Sequence, residues 1–202
     1  MGYFPFFVDL TGKEGLIVGG GTVALRKVEK LLLYGPNLTV AAPDLMPELE
    51  SCPEVTLLRR PFSPELLENK AFVIAATDDA AVNREISALC QERGIPVNVV
   101  DDPDQCTFLF PALVKRGDLS VGISTAGASP TAAVWLRQQV EALVPERMEE
   151  LLDYLSEVRP AVKVAVPEEC RGAVFARLFR TCMELGRPLT KAELKSLLEV
   201  EL

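Results

Sequence analysis

The sequence predicts an α/β protein with a mostly parallel sheet, followed by a β-hairpin and a helical tail. Three observations predict it. Strand-like and helix-like segments alternate from the start to about residue 100, the pattern of βαβ units. The strand-like runs are continuously apolar rather than alternating, which suits strands covered on both faces. A triple glycine, Gly19-Gly20-Gly21, separates the first strand pattern from the first helix pattern.

Leu16-Ile17-Val18 is the first strand run, and the helix after it carries Ala24, Val28, Leu31 and Leu32 at i, i+4, i+7 and i+8. Gly35-Pro36-Asn37 stops that helix. Leu38 to Ala42 and Val55 to Leu58 read as strands; the segment between them, Pro43 to Pro53, is too interrupted for a long helix. Phe72 to Ala75 is a fourth strand. Thr77-Asp78-Asp79 then caps a helix striped by Val82, Ile86, Leu89 and Cys90. Gly94-Ile95-Pro96 ends it, and Val97 to Val100 is a fifth strand.

Beyond residue 104 the pattern changes. Thr107 to Phe110 and Leu119 to Ser124 read as strands, with a turn at Lys115-Arg116-Gly117-Asp118. Ser129-Pro130 opens a helix reaching about Leu143. A second stripe, Met148, Leu151, Leu152, Leu155 and Val158, is expected to break at Pro160 and Pro167. Phe175, Leu178, Phe179, Cys182 and Leu185 form a third stripe, and Thr190-Lys191-Ala192-Glu193 is a capping box.

Composition removes several functions. The 202 residues include no histidine, so Ser-His-Asp triads, Cys-His pairs and His-ligated zinc are excluded. A net charge of −8 argues against nucleic acid as a main partner. Five spaced cysteines without a CxxC, and a start lacking a basic n-region, fit a reducing cytoplasm. No apolar run reaches the roughly 18–20 residues of a membrane span.

Gly19-Gly20-Gly21-Thr22-Val23-Ala24 fits G-x-G-x-x-A between a strand and a helix, the context of a dinucleotide fingerprint. Gly19 allows the tight turn, Gly21 lets the backbone approach a pyrophosphate, and Ala24 permits close helix–sheet packing. Asp44 lies 44 − 24 = 20 positions beyond Ala24, where an acid accepts from the ribose, unless it is only a solvated loop acid. No Arg or Lys stands between Thr39 and Pro53 to meet a 2′-phosphate, which favours NAD over NADP. Asp101 and Asp102 follow the fifth strand, at the sheet edge where ligands of open α/β sheets bind. Without histidine, a carboxylate is the expected proton acceptor near a nicotinamide. In extended backbone the two acids point apart, so at most one faces a substrate; both could instead serve turn or helix-cap chemistry.

Five motifs occur in order: Tyr3-Phe4-Pro5-Phe6-Phe7-Val8, Leu16 to Lys27 with its glycine turn, Ala75-Ala76-Thr77-Asp78-Asp79, Val97-Asn98-Val99-Val100-Asp101 and Ser124-Thr125-Ala126-Gly127-Ala128-Ser129-Pro130. Together they resemble the precorrin-2 dehydrogenase family, which also forms the N-terminal part of siroheme synthases. The resemblance covers roughly residues 3–145. It implies NAD-dependent oxidation of precorrin-2 to sirohydrochlorin, with ferrous iron insertion in some members. It implies a Rossmann domain (1–112), a dimerisation region (113–145) and a C-terminal helical domain (146–202), assembled as a homodimer. Carried over by position, it makes Asp101 catalytic and puts NAD contacts on Thr22, Val23, Pro43 and Asp44, beside Gly19, Gly21 and Thr77 of the motifs. Thr125 stands where some multifunctional members carry a phosphorylated serine. At this length no methyltransferase domain is expected, and no metal-ligating residue is assigned.

An exposed edge on the predicted hairpin is normally paired or covered, which also points to a dimer through residues of about 107–143. The substrate's acetate and propionate groups call for cations, and Lys115, Arg116, Arg137 and Arg84 are candidates. Two readings stand beside the dehydrogenase: a bifunctional dehydrogenase and ferrochelatase, and a non-catalytic NAD-sensing domain that would need neither Asn98 to Asp101 nor the 124–130 segment.

Overall fold

A computed structural model describes residues 2–199; the outer limits of the expected domains, residue 1 and residues 200–202, lie outside them. The chain forms two compact units. The first runs to Phe110 and takes in Ala126–Ala128; the second holds Pro111–Thr125 and the chain from Ser129 on.

The first unit is a five-stranded parallel sheet in the order β3-β2-β1-β4-β5, with β1 Glu14–Val18, β2 Asn37–Ala41, β3 Val55–Leu58, β4 Phe72–Ala75 and β5 Val97–Val99. This is the Rossmann arrangement, and the strand order reverses between β1 and β4. Helices α1 (Thr22–Leu32), α2 (Pro47–Glu50) and α3 (Ala80–Glu92) make the crossovers with a 3-10 turn at Pro64–Leu67. The apolar runs divide by the pleat. Leu16 and Val18 join Val73, Ala75, Ile86 and Val97 in one buried layer. Ile17 turns the other way, to Ala24, Val28, Leu38, Val40 and Ile74. Leu16-Ile17-Val18 and Phe72–Ala75, in the middle of the sheet, are apolar throughout because both of their faces are covered, whereas edge strand β3 exposes Thr56.

In the second unit, β6 (Ala112–Arg116) pairs antiparallel with β7 (Leu119–Ile123). Helices α4 (Pro130–Leu143), α5 (Met148–Ala165), α6 (Glu168–Leu185) and α7 (Lys191–Glu199) follow. Ser129 caps α4 by accepting from the Ala132 N–H at 3.2 Å. The expected capping box closes α7: Thr190 N–H donates to Glu193 at 2.7 Å, and Glu193 N–H donates to Thr190 Oγ1 at 3.3 Å.

Three expectations are corrected. The hairpin's first strand is Ala112–Arg116, not Thr107 to Phe110, and its turn is only Gly117-Asp118. Lys115 and Arg116 look like turn residues by charge but are paired in the ladder. Residues 107–110 are held beside β5 by other bonds: Val97 N–H donates to Thr107 Oγ1 (2.8 Å), and Asn98 Nδ2 donates to the Phe108 carbonyl (3.1 Å). Second, α5 runs through Pro160 and ends only before Pro167. A proline inside a helix costs about 3 kcal/mol. Here the ring is exposed, while Val162 and Val166 on either side of the next turn are buried with Val174 and Leu178 of α6. Third, the stripe of α6 is rotated: Val174, Leu178 and Cys182 are buried, whereas Phe179 and Leu185 are exposed.

A candidate dinucleotide and substrate site

The turn after β1 accepts only small residues for two separate reasons. Gly19 has φ +122°, and a methyl group there would sit 2.2 Å from the Ala76 carbonyl oxygen at the end of β4. At Gly20 it would sit 2.1 Å from the Asp44 carbonyl oxygen after β2. Met46 N–H donates to the Gly20 carbonyl at 3.0 Å, which ties the two loops together. Gly21 differs. Its φ of −90° suits any residue, and nothing lies within 4 Å of where a side chain would begin. The open space faces the start of α1, which has no side-chain cap. Such a helix start meets anionic charge with its amides and dipole. The geometry therefore fits a dinucleotide pyrophosphate approaching bare backbone.

Thr22, Val23, Pro43 and Asp44 are all exposed on this rim. The Thr22 hydroxyl donates to Met46 Sδ at 3.6 Å. Thr77, half-buried, is committed to the fold: its N–H donates to Asn83 Oδ1 (3.2 Å), its hydroxyl lies 2.7 Å from that oxygen, and Asn83 Nδ2 donates to the Thr77 carbonyl (3.0 Å). Asn83, buried on α3, thus shapes the turn after β4. Sequence reasoning passed over it, although an asparagine next to an apolar stripe is the available signal.

Asp101 leaves the end of β5 in the left-handed region, φ +60°, and is exposed. Val100 N–H donates to the Ala75 carbonyl at 3.0 Å, which hooks this turn to the end of β4. The strand ends at Val99, so strand alternation does not separate the two acids. The left-handed turn does: Asp101 is turned to solvent, while half-buried Asp102 starts the 3-10 turn Pro103–Gln105 and accepts from Cys106 Sγ at 3.3 Å through its carbonyl. A non-glycine residue held at positive φ costs roughly 1–3 kcal/mol and is characteristic of functional sites.

Lys27, on α1, ends the glycine-turn motif, and its spacing alone assigns it no role. Its Nζ lies 3.9 Å from the centroid of the Phe110 ring, with Lys30 Nζ 6.0 Å from the same ring. Burial, and next the Lys30 charge, lower its pKa to about 8, against the opposing pull of Cys106 and Asp101. Burial likewise pushes the Cys106 thiol up, with the neighbouring Asp102 charge adding to it. No sequence spacing connects Lys27 with Phe110; only the path of residues 107–110 beside β5 does.

Three of the four expected cations are occupied locally. Arg116 and Arg137 both pair with Glu141, and Arg84 Nε donates to the Ala80 carbonyl of its own helix. The Thr125 hydroxyl bonds both the carbonyl and the N–H of Ser129, at 3.0 and 3.1 Å. Among the described residues no cluster of three or more His, Cys, Asp or Glu could hold a metal ion. None of their helices is long and apolar enough to cross a membrane.

Fold, strand order and glycine turn define a Rossmann-type dinucleotide-binding protein. The family model described as putative NAD(P)-binding matches residues 6–112, and the one described as sirohaem biosynthesis protein central matches residues 116–143. The chain belongs to the putative NAD(P)-binding family, in the form that carries the sirohaem biosynthesis central region directly after it. It is 44% identical to the siroheme synthase of Methylobacillus flagellatus over 79% of this chain and 35% of that one. With siroheme synthase 1 of Aeromonas hydrophila it shares 37% identity over 99% of this chain and 44% of that one. The chain thus spans less than half the length of these relatives. It also resembles the solved structure of SirC, precorrin-2 dehydrogenase, with a TM-score of 0.73 and 26% identity over 98% of both chains.

Proposed function

We propose that the protein is an NAD-dependent precorrin-2 dehydrogenase, oxidising precorrin-2 to sirohydrochlorin in siroheme biosynthesis. The observation that carries this is the likeness to SirC, which extends over 98% of both chains rather than over the nucleotide-binding part alone. A mere NAD sensor would not need the Asn98 to Asp101 strand end or the 124–130 segment.

NAD bound at the glycine turn supplies the hydride acceptor. Gly19 and Gly20 let three strand ends close together, Gly21 leaves bare backbone for the pyrophosphate, and Thr22 and Val23 open the helix that faces it. Pro43 and Asp44 would hold the ribose, Asp44 by accepting from its hydroxyls; Thr77 shapes the turn after β4. Asp101 is the catalytic carboxylate. It stabilises the positive charge left on the macrocycle when hydride departs, and it accepts the proton.

The protein works as a homodimer through the region of residues 113–145. Supporting this, α4 exposes Val134, Trp135, Leu136 and Leu143, the last at 79%. The five free cysteines fit a cytoplasmic location. The deciding experiment mixes purified protein with precorrin-2 and NAD and follows NADH and sirohydrochlorin absorbance. No NADH formation overturns the reading. Adding ferrous iron to the product then reads ferrochelatase activity. Light scattering showing a monomer at micromolar concentration overturns the dimer.

A further inference from the structure

We propose that Lys27, seated on Phe110, anchors a carboxylate side chain of the tetrapyrrole substrate. This rests on the dehydrogenase reading above and adds to it a substrate-orienting residue.

The ammonium of Lys27 is partly withdrawn from water and makes no ion pair with any described residue. An ammonium has three donors and loses much of its hydration on burial. The Phe110 ring face offsets part of that loss. Lys30, one turn on, adds a second positive charge near the same ring instead of relieving the first. Two cations gathered at one aromatic face, with no acid paired to Lys27, make a place for an incoming anion. The nearby acids do not fill it: Asp101 is felt by Lys27 but lies beyond ion-pair distance, and Cys106 is held protonated by burial.

The anion that fits is the substrate's, not the cofactor's. Lys27 stands five residues into α1 from Thr22, about 7.5 Å along the helix from the turn that faces the pyrophosphate. Its electrostatic neighbours are instead Asp101 and the 106–110 segment. Asn98 fixes that segment by donating to the Phe108 carbonyl, so β5 supports Phe110 and leads directly into the turn that carries the catalytic carboxylate. An acetate or propionate held on Lys27 would place one edge of the macrocycle next to Asp101. The anchor also explains how a chain of net charge −8 receives a polyanion at an exposed aspartate.

The charged and titratable groups within electrostatic reach of Lys27 are Lys30 on its own helix, Asp101 after β5, and Cys106 ahead of Phe110. With a pKa of about 8 in the free protein, Lys27 loses its charge as pH rises through that value. Substrate capture, read as kcat/KM, should therefore fall above about pH 8.

The test uses the full chain with Lys27→Met, which keeps an aliphatic stem over Phe110, and Lys27→Arg, which keeps the charge. Sirohydrochlorin binding is titrated by absorbance, and KM and kcat are measured with precorrin-2 and NAD. Lys27→Met should weaken sirohydrochlorin binding and raise KM by about tenfold, the loss of one partly desolvated ion pair. NAD affinity and kcat should stay within about twofold, and Lys27→Arg should recover most of the binding. The fall in kcat/KM above pH 8 should vanish in Lys27→Met. Unchanged binding and KM in Lys27→Met overturn the proposal. So does an equal loss of NAD affinity, or a Lys27→Arg as poor as Lys27→Met. Should Lys27→Met melt, a wild-type kcat/KM that is flat through pH 8 overturns it as well. If the wild type neither binds sirohydrochlorin nor oxidises precorrin-2, the dehydrogenase reading itself falls; turnover without a Lys27 effect removes only this proposal.

Discussion

Alanine at each of the three consecutive glycines should give a different outcome, because each meets a different neighbour. At Gly19 the new methyl would stand 2.2 Å from the Ala76 carbonyl oxygen and 3.1 Å from the Thr77 nitrogen. The first distance is about 1 Å or more short of ordinary contact. Both atoms are backbone, so the turn after β4 must move. The φ of +122° adds about 1–3 kcal/mol of strain, and overpacking adds about 1–3 kcal/mol more. A loss of about 4 kcal/mol lowers Tm by roughly 8–16 °C in a chain of this size. At Gly20 the clash with the Asp44 carbonyl acts without the φ penalty, so the loss should be smaller, about 1–3 kcal/mol. At Gly21 the φ is ordinary and the space open. Gly21→Ala should melt within about 2 °C of wild type, since the poorer cap and the stiffer unfolded chain roughly cancel. Its methyl occupies the space assigned to the pyrophosphate, and NAD affinity should fall about ten- to a hundredfold. Thermal melting with NAD titration on the three variants separates these effects. A Gly21→Ala that binds NAD normally, or a Gly19→Ala that melts like wild type, refutes the reasoning.

Three further outcomes follow from named side chains. Asp101→Gly removes the carboxylate and relieves the left-handed strain, so it should lose about 10²–10⁴-fold in turnover while holding or gaining about 1 kcal/mol of stability; Asp102→Ala should lose far less turnover, and the reverse order would show that the wrong acid was chosen. Asp44→Ala should weaken NAD and relax discrimination against NADP, and parallel titrations that still reject NADP as strongly would remove the ribose role. Glu193 is held down to about pH 2 chiefly by the Arg187 guanidinium, then by Thr190; its lowered pKa stabilises α7 above about pH 4.5 and is lost as pH falls toward 2, so hydrogen exchange of α7 should quicken in that window in wild type and show no such step in Glu193→Gln.

The sequence by itself determined the parallel sheet, because continuous apolar runs such as Leu16-Ile17-Val18 have no stable place except a layer covered on both faces. It also determined the helix starts at Ser129 and Thr190, since capping is a local bond between residues three apart. The positions of the glycine turn and of the acids after β2 and β5 were legible for the same reason: spacing along one strand–turn–helix unit fixes where they fall. What needed tertiary structure was whatever depends on contacts between distant segments. Pro160 stays helical because packing of Val162 and Val166 against α6 outweighs a local penalty. Residues 107–110 are not a hairpin strand because they are held to β5, by the Thr107 N–H on the Val97 carbonyl and by side-chain bonds of Thr107 and Asn98 that no propensity encodes. Asp101 differs from Asp102 through a left-handed turn, not through strand alternation. Lys27 looks like a surface lysine on a helix until Phe110, far along the chain, is brought under it. Burial and field at one side chain are sums over neighbours from separate elements, and a linear sequence does not state which elements those are.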